Sequence, residues 1–265
     1  GVRNQVPPDT TNPIPVGYGS FYSGGKFVDA CLTTDGMKMF YVMAISCISE
    51  NGQFSFNTTK FYFADRLITF DNSDPTKVIS LTDGAGNVDT KISGNLYINL
   101  YSSDYSGNVT PLNSCPLPWA SGTAYSMGSG SGLAYDQQWQ STNRRMNGLA
   151  FAIVRLTYSR DAGTTAMSPI TFHCNHFLNS TGAAKPGDVW YDYMQNTIYG
   201  AAVENEFLDY DSAITLNNYS DELVTFNDYE GNPATQYRYR IDGVIDTNQG
   251  ILQNVDAIMT ACDSW

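Results

Sequence analysis

The sequence predicts a β-rich α+β protein. Eighteen Tyr and 13 Phe, together with 23 Gly and only 15% charged residues, are typical of strands joined by many turns. Strand-length runs that alternate in polarity or are apolar throughout recur over the first 180 residues. Helical periodicity follows only after them. We therefore expect a β-rich domain at residues 1–180 and a smaller α+β segment at residues 181–265 that ends in an amphipathic helix.

The β-rich domain is expected to begin with an extended arm. Residues 1–16 contain four prolines, which cannot donate to a β-ladder. Val16–Ala30 then predicts a hairpin around two glycines. Met37–Ile48 is apolar on both faces, as a central strand requires, and Phe54–Phe63 alternates in the way of further strands. Together these segments predict a meander.

The pattern loosens between residue 84 and about residue 136, although Asn95–Tyr101 is compatible with a strand. Pro116 and Pro118 interrupt regular structure, and Met127–Gly132 is a glycine-serine repeat typical of a linker. We interpret this region as an insertion. Regular strand patterns return at Gly148–Tyr158 and Ile170–Asn175.

The α+β segment predicts three helices, near residues 187–195, 210–223 and 248–262, and one strand at 237–245. Pro186 suits the first position of the first helix, and Asp209 suits the N-cap of the second. Asp246 or Thr247 is expected to cap the third helix. The strand is predicted by alternation, in which Tyr237, Tyr239 and Ile241 face opposite to Arg238, Arg240 and Asp242.

Two of these helices have an apolar face. In the third helix the apolar side chains recur at helical spacing, and Asn254 and Asp256 fall on the other side. An apolar face cannot bury itself, so each helix needs a partner layer. The side chains expected to pack against another domain or subunit are Trp190, Tyr193, Ile251, Leu252, Val255, Ile258 and Met259.

Composition argues against several classes of protein. A formal net charge of −12 without a basic cluster does not suit a surface that grips nucleic acid through its phosphates. No apolar run approaches the roughly 18–20 residues of a membrane span. Five scattered Cys without a C-x-x-C pair indicate reduced or buried thiols, and leave one or two disulfides open. Gly1 is not an initiator Met, and we expect the chain to be a piece of a longer protein.

Candidate metal and nucleophile sites are few. His173, Cys174 and His176 form one cluster, but strand alternation places His173 opposite to the other two. With two His in the chain and no G-x-S-x-G motif, a Ser-His-Asp triad has little support. We therefore predict no metal, no cofactor and no nucleophilic site.

Two acid pairs, Asp209 with Asp211 and Asp221 with Glu222, are candidates for glycosidase carboxylates. Acids are also common at helix starts and on solvated faces, where they interact with the helix dipole. We interpret both pairs in that way, and predict no catalytic residue and no enzyme.

Several segments resemble one known family. Pro186–Gly200 is similar to the signature NPAWVLYDLLTNxRYG, and segments like Ser212–Val224 and Tyr239–Leu252 follow it at the family's spacing. Upstream, Asn12–Gly19 resembles the family's NPVPVxYG motif, and the strand pair Leu149–Tyr158 and Ser168–Phe172 matches two further family strands. The order is collinear over most of the chain outside residues 84–136. On these motifs the chain resembles the tail-tip attachment protein J, or central tail hub, family of lambda-like siphophages.

The resemblance implies a non-enzymatic protein of the virion tail tip, built from hub-type β-barrel or sheet domains. It implies a homotrimeric hub that closes the tail tube, carries distal fibre and receptor-binding parts, and opens for DNA ejection. The implied partners are the chain itself, the distal tail, tube and tape-measure proteins, the tail fibre, indirectly a host receptor, and DNA only in transit. An acidic lumen would let DNA pass without sticking, so we hypothesise that some Asp and Glu line it.

Two alternatives have other sequence support. Trp119, Trp139 and Trp190, with many Tyr, could form the stacking platforms of a carbohydrate-binding module. A glycan hydrolase of a virion or secreted adhesin is the second alternative. It would need two carboxylates about 5–9 Å apart in a cleft.

Overall fold

The computed structural model describes residues 13–33, 36–118 and 145–263. Across these residues the chain forms antiparallel β-ladders and three α-helices, which confirms the predicted β-rich α+β class. The arm before Pro13, the Met127–Gly132 linker, Trp119 and Trp139 lie outside the described residues.

The strands occupy most of the first two thirds of the chain, and the helices follow. The strands are β1 Val16–Ser23, β2 Lys26–Leu32, β3 Lys38–Cys47, β4 Gln53–Phe56, β5 Tyr62–Phe63, β6 Arg66–Phe70, β7 Val78–Thr82, β8 Val88–Asp89, β9 Leu96–Ser103, β10 Val109–Pro111, β11 Leu149–Thr157, β12 Ile170–Phe177, β13 Leu223–Asn227, β14 Pro233–Tyr237 and β15 Gly243–Ile245. The helices are α1 Pro186–Gln195, α2 Tyr210–Ser220 and α3 Ile251–Thr260.

The chain divides into two compact units. The first contains Tyr22–Glu50 and Ser55–Cys174, and the second contains Pro15–Phe21, Asn51–Phe54 and Asn175–Trp265. The predicted division at residue 180 placed Pro15–Phe21 and Asn51–Phe54 in the β-rich domain, whereas both belong to the second unit. They belong there through long-range pairing, such as the ladder in which β1 pairs with β15. Local sequence patterns carry no signal for such pairing.

The first unit contains an antiparallel ladder in the order β10, β9, β11, β3, β2. Strand β3 is buried along almost its whole length, as its unbroken apolar sequence predicts. The core beside it contains Phe40, Tyr101 and Phe151, and the last two rings stack with centroids 5.0 Å apart. A second ladder joins β5, β6, β7 and β8, and β5 also pairs with the start of β12.

Part of the region interpreted as an insertion belongs to the core instead. Strand β9 lies between β10 and β11 and pairs with β11 from Leu96 to Ser102. Its residues Ile98, Leu100 and Tyr101 are fully buried. The interpretation of residues 84–136 as an insertion therefore does not hold for this strand, which overlaps the possible strand at Asn95–Tyr101.

In the second unit, α1 packs against both α2 and α3, and β13 pairs with β14 as a two-stranded ribbon. The helix expected near 187–195 runs from Pro186 to Gln195. The helix expected at 210–223 is capped by Asp209, whose carboxylate accepts the Ser212 N–H at 3.1 Å. It ends earlier than expected, at Ser220, because Leu223 already begins β13.

The third helix also starts later than expected. Its N-cap is Gly250, not Asp246 or Thr247. The Asp246 carboxylate accepts the Asn248 N–H at 2.9 Å, and the Gln249 N–H bonds to the Asp246 carbonyl at 3.1 Å. Asp246 therefore forms a turn of its own before the helix begins.

The strand predicted at 237–245 is interrupted. Strand β14 ends at Tyr237, and β15 begins only at Gly243. Between them, the Arg238 N–H donates to the Glu222 carbonyl, and the Tyr239 N–H donates to the Ser220 carbonyl. The Ile241 N–H donates to the Ala184 carbonyl. Because these N–H groups bond to three separate carbonyls, they form no continuous β-ladder between Tyr237 and Gly243. Ile241 is nevertheless buried, as the alternation predicts.

The stacked pair in the first unit gives a test of its core. Truncating the fully buried Phe151 leaves a cavity, so Phe151→Ala is expected to lower the free energy of unfolding by about 3–5 kcal/mol. Val88→Ala, at a position 62% exposed in the same unit, should change it by less than about 0.5 kcal/mol. Denaturant titration measures both values, and equal losses would contradict the assignment of the core.

Candidate functional site

A buried carboxylate lies at the centre of the second unit. Asp192 on α1 accepts hydrogen bonds through Oδ2 from the Tyr18 hydroxyl at 2.6 Å and from the Tyr199 hydroxyl at 2.7 Å. Burial, with the neighbouring carboxylate, raises the pKa of Tyr18 well above its usual value. The Tyr18 phenol therefore keeps its proton, and both phenols donate to the Asp192 carboxylate. We call Tyr18, Asp192 and Tyr199 the Asp192 network.

A histidine packs beside this network. His176 stacks on Tyr18, with ring centroids 5.7 Å apart, and Phe54 lies against its ring at 5.8 Å. Its Nδ1 is 2.6 Å from the Gly17 carbonyl, which can only accept, so Nδ1 carries the proton. Burial lowers the pKa of His176. The His176 imidazole is thus neutral and packs between Tyr18 and Phe54.

A second set of polar bonds joins α1 to α2. Asn217 accepts the Gly187 N–H at 2.9 Å and donates to Asp188 at 2.7 Å, and Asn179 donates to the other Asp188 oxygen at 2.8 Å. A Cβ on Gly187 would collide with the Ala213 carbonyl. The close approach of the two helices therefore requires glycine at this position.

Four of the segments that carry the family resemblance meet in these contacts. Tyr18 belongs to Asn12–Gly19, Asp192 belongs to Pro186–Gly200, and Asn217 belongs to Ser212–Val224. Gly19 lies in the left-handed region at φ +69°, where a Cβ would strike Asp242, a residue of the fourth segment. The Asp242 carboxylate accepts the Ser20 N–H at 2.7 Å.

Of the acid pairs weighed as catalytic candidates, Asp221 with Glu222 has ion-pair partners. Asp221 forms ion pairs with Lys185 and Arg240, each at 2.6 Å, and the Lys185 hydrogen bond lowers the pKa of Asp221, with Arg240 adding to the effect. Glu222 pairs with Arg238 at 2.6 Å. A cleft of about 600 Å³ lies beside the Asp221 cluster. It contains two cations and two carboxylates, Asp221 and Asp242, so its charges balance.

The His-Cys cluster is dispersed over two environments. His173, expected to face outward, is buried, and the ring of Tyr22 lies edge-on to it at 4.6 Å. Cys174 is also buried, and burial raises the pKa of its thiol. In the described parts of the chain, no three His, Cys, Asp or Glu side chains lie together in a way that could hold a metal ion.

All five cysteines are free thiols, and four of them are buried. Burial raises the pKa of Cys47 to about 12, so this thiol stays protonated at neutral pH. Within the described ranges, no helix is both long and apolar enough to span a membrane.

An apolar groove lies among the three helices. Its apolar lining comes from all three: Trp190, Met194, Ala213, Leu216, Val255 and Met259. Asp256 and Asp263 are its acidic lining residues. The groove encloses about 1000 Å³, and its apolar side chains other than Ala213 are only half-buried. We call this set the helical groove.

The seven side chains expected at packing surfaces separate into three groups. Trp190, Val255 and Met259 meet in the helical groove. Tyr193 and Ile258 are buried within their own unit. Ile251 and Leu252 are 47% and 79% exposed in the single chain, so their expected packing against another subunit stays a prediction. The helix begins at Ile251, so both residues lie in its first turn.

A polar residue takes part of the buried face instead. Asn254, expected on the outer side of the helix, is only 2% exposed. Its amide donates to the Tyr193 hydroxyl and to the Asp246 carbonyl, each at 3.0 Å. Both partners lie outside the helix, Tyr193 on α1 and Asp246 in the turn before α3, so periodicity did not reveal them. Asp192 could have been found, since it shares a helical face with Val189 and Tyr193.

The net negative charge of the chain lies in its last 80 residues. Residues 186–265 contain 14 Asp and Glu but only two basic residues, Arg238 and Arg240, and so carry a formal charge of −12. Residues 1–185 contain 12 acidic and 12 basic residues and are balanced. The three helices contain no Lys or Arg.

Comparison of the chain with models of known protein families and with curated protein sequences gives no match.

The Asp192 network can be tested by removing one hydroxyl. Tyr18→Phe deprives the buried carboxylate of a donor and should lower the free energy of unfolding by about 1.5–3 kcal/mol. Tyr22→Phe, where the ring is 48% exposed, is the matched control and should change it by less than about 0.5 kcal/mol. Denaturant titration distinguishes them. A Tyr18→Phe effect as small as the control would show that the bond contributes little.

The Asp221 cluster predicts a pH dependence. Because the folded-state pKa of Asp221 is lowered, its stabilising contribution is present at neutral pH and is lost as the pH falls below about 4 and through that lowered pKa. Lys185→Met should reduce the unfolding free energy at pH 7 by about 0.5–1 kcal/mol, because the pair is partly exposed. The difference from wild type should shrink toward pH 2–3.

Lys60→Met, at an exposed lysine without an ion pair to Asp221, is the control for this titration. Urea unfolding at several pH values measures both variants. A Lys185→Met deficit that stays constant down to the lowest pH would contradict the role of Asp221.

Proposed function

We propose that this chain is a structural, non-enzymatic component of a siphophage tail tip: the homotrimeric central hub that closes the tail tube. In this proposal it carries distal fibre and receptor-binding parts and opens for DNA ejection. Its partners are its own copies, the distal tail, tube and tape-measure proteins, and the tail fibre. It meets the host receptor indirectly and DNA only in transit.

The observation that carries the proposal is the convergence of the resembling segments. Four segments that follow one another in the order of the family also contact one another in the second unit, through Tyr18, Asp192, Asn217 and Asp242. Chance similarity at scattered surface positions would not select residues that bond together. The convergence supports a shared structural framework for these four segments.

The β-ladders of the first unit suit a tube component. A ring of β-rich subunits can continue a tube wall in which strand edges are covered by neighbours. Three copies in a closed ring would place a heterologous contact at each junction. Hub-type β-barrel domains therefore fit the ladder arrangement as part of the proposal.

A surface for that contact is available on α3. Leu252 and Ile251 are large apolar side chains exposed in the first turn of the helix. Exposed apolar groups that lie together favour burial against a neighbour. We assign them to the contact between copies.

The charge distribution indicates which residues would line an acidic lumen. Because the whole excess of negative charge lies in residues 186–265, these residues would line the DNA path. An acidic wall offers no phosphate-neutralising contacts, so DNA would pass without binding.

Assembly of the purified chain tests the proposal. Light scattering during size-exclusion chromatography is expected to give the mass of three 29.1 kDa chains. Leu252→Asp places a charge in the contact and should shift the mass toward one chain, whereas Gln253→Asp, at the exposed neighbouring position, should leave the trimer intact. A wild-type monomer at tens of micromolar would contradict the proposed hub.

A further inference from the structure

The helical groove has a volume and an apolar lining that suit an apolar segment. Its volume of about 1000 Å³ is at the upper end of the range for ligand sites, and six apolar side chains from three helices line it. Grooves of this kind take the apolar face of a short amphipathic helix, with anchors at helical spacing. Size and lining therefore point to a peptide segment.

The charge around the groove selects the kind of segment. Asp256 and Asp263 line it, and α1, α2 and α3 contribute no Lys or Arg to balance them. The two Arg of residues 186–265 already form ion pairs with Asp221 and Glu222. A partner with basic residues would therefore gain favourable electrostatic interactions along the groove.

We propose that the helical groove binds a short amphipathic helix of another protein, whose apolar face is flanked by Lys or Arg. The apolar face would contact Trp190, Val255 and Met259, and the basic flanks would approach Asp256 and Asp263. A second copy of this chain fits less well, because its residues 1–185 are balanced in charge and its residues 186–265 are acidic, so neither part offers the net positive charge that the groove favours. The proposal does not depend on the role in a phage tail.

The probe is a synthetic amphipathic helical peptide with a leucine face and lysine flanks. Its matched partner has glutamate in place of every lysine. Fluorescence anisotropy of the labelled peptides should show micromolar binding of the lysine peptide and binding at least about tenfold weaker for the glutamate peptide. The lysine affinity should also fall as salt is raised.

Two double variants separate groove binding from general attraction to an acidic protein. Asp256→Asn with Asp263→Asn should weaken the lysine peptide by about tenfold. Glu204→Gln with Glu206→Gln removes the same charge from exposed acids that do not line the groove, and should weaken it less than about twofold. Circular dichroism confirms that each variant is folded.

A third variant, Met259→Arg, places a bulky cation in the groove and should abolish binding of the lysine peptide. Equal affinity for the two peptides, equal weakening by the two double variants, or no binding to wild type would overturn the proposal. Loss of the trimer in Met259→Arg, with no peptide binding to wild type, would identify a second copy as the occupant and also overturn it. The wild-type chain mass is recorded separately, so failure of the hub proposal is distinguishable.

Discussion

The second unit depends on a single buried carboxylate. A carboxylate inside a protein is strongly unfavourable unless donors surround it, and Asp192 meets this requirement with two phenols that lie far apart in the sequence. Tyr18 enters from β1 near the start of the chain, and Tyr199 follows α1. The need to satisfy Asp192 therefore couples the N-terminal strand to the helical segment. It also explains why residues 15–21 belong to the second unit and not to the first.

This constraint gives the helices a defined arrangement on which surfaces can be built. With α1 held by the Asp192 network and by Asn217, the groove formed with α2 and α3 has a lining set by packing, not by loops. Acidic residues that belong neither to the Asp192 network nor to an ion pair, such as Asp256 and Asp263, can then attract a positively charged partner. A fixed apolar groove with one sign of charge suits assembly with a partner, and the proposal for the helical groove uses this property.

The sequence predicted the local features well and the long-range ones poorly. The buried run of β3 and the Asp209 cap depend on residues within one element, so spacing alone revealed them. Burial of Asn254 depends on Tyr193 and Asp246, outside its helix, and periodicity placed it on the wrong side. The strand predicted at 237–245 failed for the same reason, because its backbone donors bond to distant carbonyls. Within the Asp192 network only Asp192 had a local signal, an acid inside an apolar helical stripe.

The central claim is that three copies of this chain surround the axis of a tail tip. Electron cryomicroscopy of virions that contain the chain, with an antibody fragment bound to the β13–β14 ribbon, tests it most directly. We expect three antibody fragments related by threefold symmetry at the distal end of the tail, with the acidic residues of 186–265 toward the channel. Antibody density elsewhere on the particle, or a single copy at the tip, would contradict the claim.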